Sequence, residues 1–170
     1  MKSFGNLLAL VLLFVGTAAF AQESALISFK IKDQFNKVHT DEECRGNVLV
    51  IIGGDKGGAE FSGQWGRAIR ESLAGEVAFD EIKFLRYADM RGVPFFLRGM
   101  VKGKFPREEE FWVLLDWKGH MAKAYEFQSD ETNIVVFSRE GQLSHQAHGR
   151  VPDEENVSAI AGVISGLMAH

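Results

Sequence analysis

Apolar and polar residues alternate through Ile27, Phe29 and Ile31, the period of a strand with one face buried, and Asp33-Gln34-Phe35-Asn36 turns the chain back toward Val38. A small N-terminal β-hairpin is predicted. The pattern changes at Val48-Leu49-Val50-Ile51-Ile52, which is apolar at every position and rich in β-branched residues. That is expected of a central strand covered on both faces. Gly53 to Gly58 predicts a loop. Beyond it Phe61, Trp65, Ala68, Ile69 and Leu73 recur at helical spacing while Arg67, Arg70 and Glu71 fall off the stripe, so an amphipathic helix follows the strand directly.

Ile82, Phe84 and Leu85 predict a second core strand ending near Asp89. Val93, Phe96, Leu97, Met100 and Val101 then suit an amphipathic helix, with Pro94 in its first turn. Pro106 and Glu108-Glu109-Glu110 separate it from a third apolar segment, Phe111 to Trp117, which turns at Lys118-Gly119. Thr132 to Phe137 and Gln142 to His148 flank Ser138-Arg139-Glu140-Gly141, a hairpin spacing. Asp153 is placed to cap a last helix whose Val157, Ile160, Ala161, Ile164, Leu167 and Met168 form one stripe. This order predicts an α/β three-layer sandwich, a mixed central sheet flanked by helices, with right-handed crossovers between its parallel strands. Ligands of such sheets sit beyond the carboxyl ends of the strands, here the loop after Ile52.

The first 21 residues follow a different pattern. Lys2 supplies a positive start, Leu7 to Val15 an apolar stretch, and Ala19-Phe20-Ala21 the small-x-small pattern of a cleavage site. Residues 1–21 are expected to be a cleavable signal peptide and residues 22–170 a single domain, periplasmic or secreted. The rival is a membrane anchor, but Leu7 to Ala21 is short beside the roughly 20 apolar residues of a spanning helix. No stable anchor is expected after cleavage, and no cysteine stands near the junction to carry a lipid. Without Lys2 the chain has 18 basic and 23 acidic residues, a balance that shows no sign of a nucleic-acid partner.

An exported chain meets an oxidising compartment, yet its only cysteine is Cys44. No intramolecular disulfide is possible. Cys44 lies in Asp41-Glu42-Glu43-Cys44-Arg45, where acids raise a thiol pKa and Arg45 opposes them. It reads as an unreactive cysteine at the strand entrance; the alternative is a regulatory or dimer-forming thiol.

Three stretches carry a resemblance to the thioredoxin-like superfamily, and within it to the peroxiredoxin and redoxin branch. Val48 to Ile52 with the Gly-rich loop and Ala59-Glu60-Phe61 resembles the strand, active-site loop and helix start of thiol oxidoreductases. Leu114-Leu115-Asp116-Trp117-Lys118-Gly119 with Ala122-Lys123-Ala124-Tyr125 is similar to the redoxin phrase before the final hairpin, and Thr132 to Gln142 resembles that hairpin. The resemblance implies two catalytic cysteines at the loop-to-helix junction, but those positions hold Gly54 and Gly57. A redoxin's peroxidatic cysteine would fall near Phe61 or Ser62. The cis-proline the family places before the hairpin strand is replaced by Glu131. Both halves of the redox site are missing.

The remaining chemistry is sparse. Gly53-Gly54-Asp55-Lys56-Gly57-Gly58 could present backbone N–H groups at a helix start to an anion, or merely connect strand to helix; it lacks the Walker frame. His145 and His148 should point to opposite faces of a strand, and His39, His120 and His170 show no ligand spacing, so no metal or other cofactor is expected. Asp116 is an acid–base candidate or an aspartate that orders the Lys118-Gly119 turn. Arg91, Arg98, Lys102, Lys104 and Arg107 surround the second helix as a solvated face. Asn156-Val157-Ser158 matches a glycosylation sequon, which matters only in a eukaryotic secretory pathway, and the short leader is bacterial in form.

These features predict a non-catalytic binding or interaction module, for an unknown protein or small-molecule partner, on a redox-type scaffold. Its binding loop is placed at Gly54, Asp55, Lys56, Gly57, Gly58, Glu60, Ser62, Glu131 and Thr132. The alternative is a thiol-dependent oxidoreductase or antioxidant enzyme using Cys44 with an external resolving thiol. Oligomeric state is open.

Overall fold

The computed structural model describes residues 25–75 and 78–169, so the expected signal peptide lies outside the described residues. The chain begins with strands β1 (Lys30–Lys32) and β2 (Val38–Thr40) and a 3-10 turn (Asp41–Cys44). There follow strand β3 (Val48–Gly54), helices α1 (Lys56–Ala59) and α2 (Ser62–Leu73), strand β4 (Ile82–Asp89) and helix α3 (Arg98–Lys102). The chain continues through strand β5 (Leu114–Asp116), helix α4 (His120–Ala124), strands β6 (Thr132–Phe137) and β7 (Leu143–Gly149), and helix α5 (Glu154–Met168).

The main sheet runs in the order β5-β4-β3-β6-β7, with β3, β4 and β5 parallel and β6 and β7 antiparallel to their neighbours. β3 is central because its side chains are apolar on both faces. Val48, Val50 and Ile52 meet α2 and α5 through Trp65, Ile69, Leu73, Ile160 and Ile164. Leu49 and Ile51 join Leu85, Met121, Tyr125 and the hairpin residues Phe29 and Ile31 on the other face. Trp65, Ile69 and Leu73 are wholly buried, and each aliphatic one contributes about 1.5–3 kcal/mol of burial.

Local chemistry turns the chain where expected. Asp33 Oδ1 accepts the Phe35 and Lys37 N–H groups at 2.8 and 2.9 Å, closing the first hairpin with Asn36 at φ 70°. Asp153 accepts the Asn156 N–H at 2.9 Å and starts α5.

Three expectations need correction. Gly53–Gly58 is not a loop: Gly53 and Gly54 complete β3, and α1 begins after a single residue, Asp55. The helix expected over Val93–Val101 is a 3-10 turn, Phe95–Leu97, followed by the five-residue α3. Pro94 begins the turn extended, and glycines at 92, 99 and 103 weaken any longer helix. Val93 and Val101 pack on Ala88, Met90 and Leu115, while Phe95, Phe96 and Met100 are 84%, 81% and 59% exposed. The third apolar segment yields only the three-residue β5. Buried Gln34 takes the place of a ladder before it, donating to the Pro106 and Phe111 carbonyls (3.2 Å each) and accepting the Val113 N–H (2.9 Å). No helix among the described residues is long and apolar enough to cross a membrane.

Candidate functional site

At the carboxyl end of β3, Asp55 organises the junction. Its Oδ1 accepts the Gly57 and Gly58 N–H groups at 3.1 Å each, and its carboxylate also accepts the Asp130 N–H at 3.0–3.2 Å. Thr132 Oγ1 donates to the Gly58 carbonyl at 2.6 Å. The backbones are then so close that a Cβ at Gly54 would lie 2.6 Å from the Glu131 carbonyl oxygen, and one at Gly58 would collide with the same atom. Of the two readings of this segment, an open anion site or a connection from strand to helix, the geometry favours the connection: Asp55 supplies the anion to the Gly57 and Gly58 N–H groups from within the chain.

Gly54, Asp55, Lys56 and Gly57 line one wall of a cleft of about 510 Å³ beyond the ends of β3 and β4. The other wall comes from Asp89, Met90, Arg91, Val93, Lys104 and Phe105, with Asp130 at the junction. Arg91 grips Asp89 through Nε (2.8 and 3.0 Å) and its terminal nitrogen (2.5 Å), which raises the Arg91 pKa further. Lys56 and Lys104 form no ion pair among the described residues.

The other expected site residues disperse. Gly58 and Thr132 are buried behind the junction and Glu60 is exposed outside the cleft. Ser62 donates to the Ala59 carbonyl at 2.9 Å and faces the flank of α2. Glu131 pairs with His148. No peptide bond among the described residues is cis.

Cys44 sits before the opposite end of β3. The strand alone separates the two ends by about 20 Å at the usual rise per residue. It is 3% exposed, and its Sγ lies 3.7 Å from the Thr40 carbonyl oxygen. Burial pushes the thiol up to about 11, with Lys83 opposing and Glu43 and Asp41 adding to the rise. Arg45 pairs with Asp41 at 3.5 Å, yet burial still sets the direction of the shift.

Asp116 orders the turn, accepting the Lys118, Gly119 and Met121 N–H groups at 2.9–3.2 Å and the Tyr87 hydroxyl at 3.1 Å. Burial and Asp116 hold the Tyr87 pKa far above its usual value. His145 is half-buried, with its pKa lowered by burial, and His148 is exposed, as opposite faces of β7 require. Sequence reasoning missed a buried group: His39 Nε2 lies 2.9 Å from Asp33, its Nδ1 3.5 Å from Glu43, and its ring stacks on Trp112 at 4.1 Å. It also missed Asp89, Arg91 and Asp130, although the strand-end rule could have found Asp89 at the close of β4.

No family model matches this chain, and no curated protein matches it. Solved structures are similar to it throughout most of its length. The exposed lipoprotein thioredoxin of Streptococcus pneumoniae is 12% identical, with a TM-score of 0.58 over 81% of this chain and 98% of its own. BsSco, of the Sco family of cytochrome c oxidase assembly proteins, is 9% identical, with a TM-score of 0.58 over 87% and 95%. Peroxiredoxin Q of Xanthomonas campestris is 15% identical, with a TM-score of 0.52 over 82% and 92%. The fold is thioredoxin-like, and the chain carries a single cysteine.

Proposed function

We propose that this chain is an exported, non-catalytic binding module on a thioredoxin-like scaffold, contacting its partner at the strand-end cleft through Lys56, Asp55 and the facing residues of β4. The observation that carries the reading is the junction itself: where a thiol pair would react, Asp55 caps α1 and glycines pack against the backbone of residues 130–132. The only thiol is buried before the far end of β3 with a raised pKa, the reverse of the exposed, low-pKa environment that redox chemistry needs. Export rests on the leader pattern of residues 1–21 and is tested by N-terminal sequencing of the protein from the exported fraction, which should begin at Gln22.

The decisive assay is redox turnover. Purified protein is expected to reduce insulin disulfides and consume peroxide with a thiol donor no faster than Cys44→Ser. A clear excess of the wild type over that variant overturns the reading in favour of an enzyme working through Cys44.

A further inference from the structure

We infer that the flank of α2 carries a binding site for a small organic anion with an apolar or aromatic body, in the cleft where Arg67, Arg70 and Arg86 converge. The cleft has a volume of about 600 Å³ and lies between α2, β4 and the segment 105–113. A further recess of about 160 Å³ shares Ser62, Gly63, Arg70 and Arg86 with it. The volume of the larger cleft suits a small ligand, and Phe105, Phe111 and Val113 give it an apolar side.

Arg70 and Arg86 are held by ring contacts, and none of the three arginines is neutralised. Arg70 lies over the Phe84 ring at 4.2 Å and Arg86 over the Phe111 ring at 4.8 Å, contacts that hold both guanidinium groups against the cleft's aromatic residues. Glu71 and Glu110 border the two recesses, yet none of the three arginines forms an ion pair among the described residues. Burial and the charge of Arg86 lower the Arg70 pKa, so the two cations disfavour one another. An anionic head placed between them removes that repulsion and accepts charge-assisted hydrogen bonds.

Gly63 shapes the same site. It lies in α2, where glycine weakens a helix, and a Cβ there would meet nothing within 4 Å. It lines both recesses. Its absent side chain keeps the wall low where a ligand body would lie. The site adds a ligand class to the binding reading but does not depend on the strand-end cleft.

Fluorescence titration of the purified protein with anilinonaphthalene sulfonate, an aromatic anion, tests the inference against N-phenylnaphthylamine, its uncharged counterpart. The anion is expected to bind at one site, about tenfold or more tighter than the neutral probe. Arg70→Gln with Arg86→Gln should weaken it about tenfold or more. Gly63→Leu, which keeps every charge and favours the helix, should weaken both probes by filling the cleft. Lys123→Ala, an exposed lysine of α4 outside both clefts, and Phe95→Ser with Phe96→Ser, should leave binding unchanged. The inference is overturned by absent binding, by wild-type affinity in the arginine and Gly63 variants, or by loss of binding only when the exposed phenylalanines are removed. These outcomes are separate from redox turnover, so either proposal can fail alone.

Discussion

The two walls of the strand-end cleft are built on different principles. The wall at Gly54–Gly58 is main chain against main chain, held by one carboxylate and by the Thr132 hydroxyl. The wall at Met90–Phe105 is side chain on side chain, with Val93, Val101 and Phe105 resting on Ala88, Met90 and Leu115. Lys102 reaches Asn36 at 2.5 Å, and Arg98 lies between Phe95 and Trp117. A backbone wall has no room for a new side chain, whereas a side-chain wall can be remodelled residue by residue. The rigid wall is closed around Asp55. Under the binding role proposed above, selectivity for a partner is expected to reside in the second wall and along α2.

The comparison breaks most visibly at Gly58. Gly58→Val forces side-chain atoms into the Glu131 carbonyl, and overpacking of this kind costs about 3 kcal/mol. Urea denaturation should show that loss; a change below about 0.5 kcal/mol, the usual surface value, would mean the wall is not closed by backbone. Asp55→Ala follows, at about 1–2 kcal/mol for a lost helix cap. The tether to Asp130 goes with it, so protease nicking near residues 128–131 should increase in the same variant. Asp55→Asn keeps an acceptor oxygen and should retain most of the stability.

Much of the first wall was legible before its contacts were visible. Five consecutive apolar positions, Val48 to Ile52, announced β3, and the glycines that follow them announced an unusual junction. What remained hidden was the role of Asp55, because its partner Asp130 lies 75 residues away and hydrogen-bonding across that distance leaves no local pattern. The second wall misled for the opposite reason. Val93, Phe96, Leu97, Met100 and Val101 have helical spacing, but spacing does not reveal which side faces the core. Pro94 and the glycines permit only a three-residue 3-10 turn and a five-residue helix, leaving Phe96 and Met100 in solvent. The β6–β7 hairpin and α5 were readable because their signals are local: a four-residue turn and an aspartate cap. The arginine cleft was not, since Arg67 and Arg70 come from α2 and Arg86 from β4.

Cys44 gives a smaller effect that sharpens the contrast between the ends of β3. With its pKa near 11, about one thiol in a thousand is ionised near pH 8, so an aromatic disulfide reagent should react far more slowly with native than with urea-unfolded protein. The folded pKa is raised above the ordinary 9.0, so the folded chain holds its proton where the unfolded chain releases it. This contribution to stability is complete below about pH 9 and is lost as pH rises toward 11. Cys44→Ala should flatten the stability profile across that window, and an unchanged slope would place the thiol in water.

The smallest effect on stability is expected at the most conspicuous residues. Phe95 and Phe96 are among the most apolar side chains of the second wall, yet at 84% and 81% exposure they contribute almost no burial to the folded state. Phe95→Ser with Phe96→Ser should shift the urea midpoint by less than about 0.5 kcal/mol in free energy, since nothing buried is removed. Arg98 loses one of its two aromatic neighbours but keeps Trp117 at 4.8 Å, so the local turn should persist. The same double variant should gain solubility, because adjacent exposed rings favour self-association. A loss of 2 kcal/mol or more, the scale of a core deletion, would show that these rings are packed in solution and that the second wall is as closed as the first.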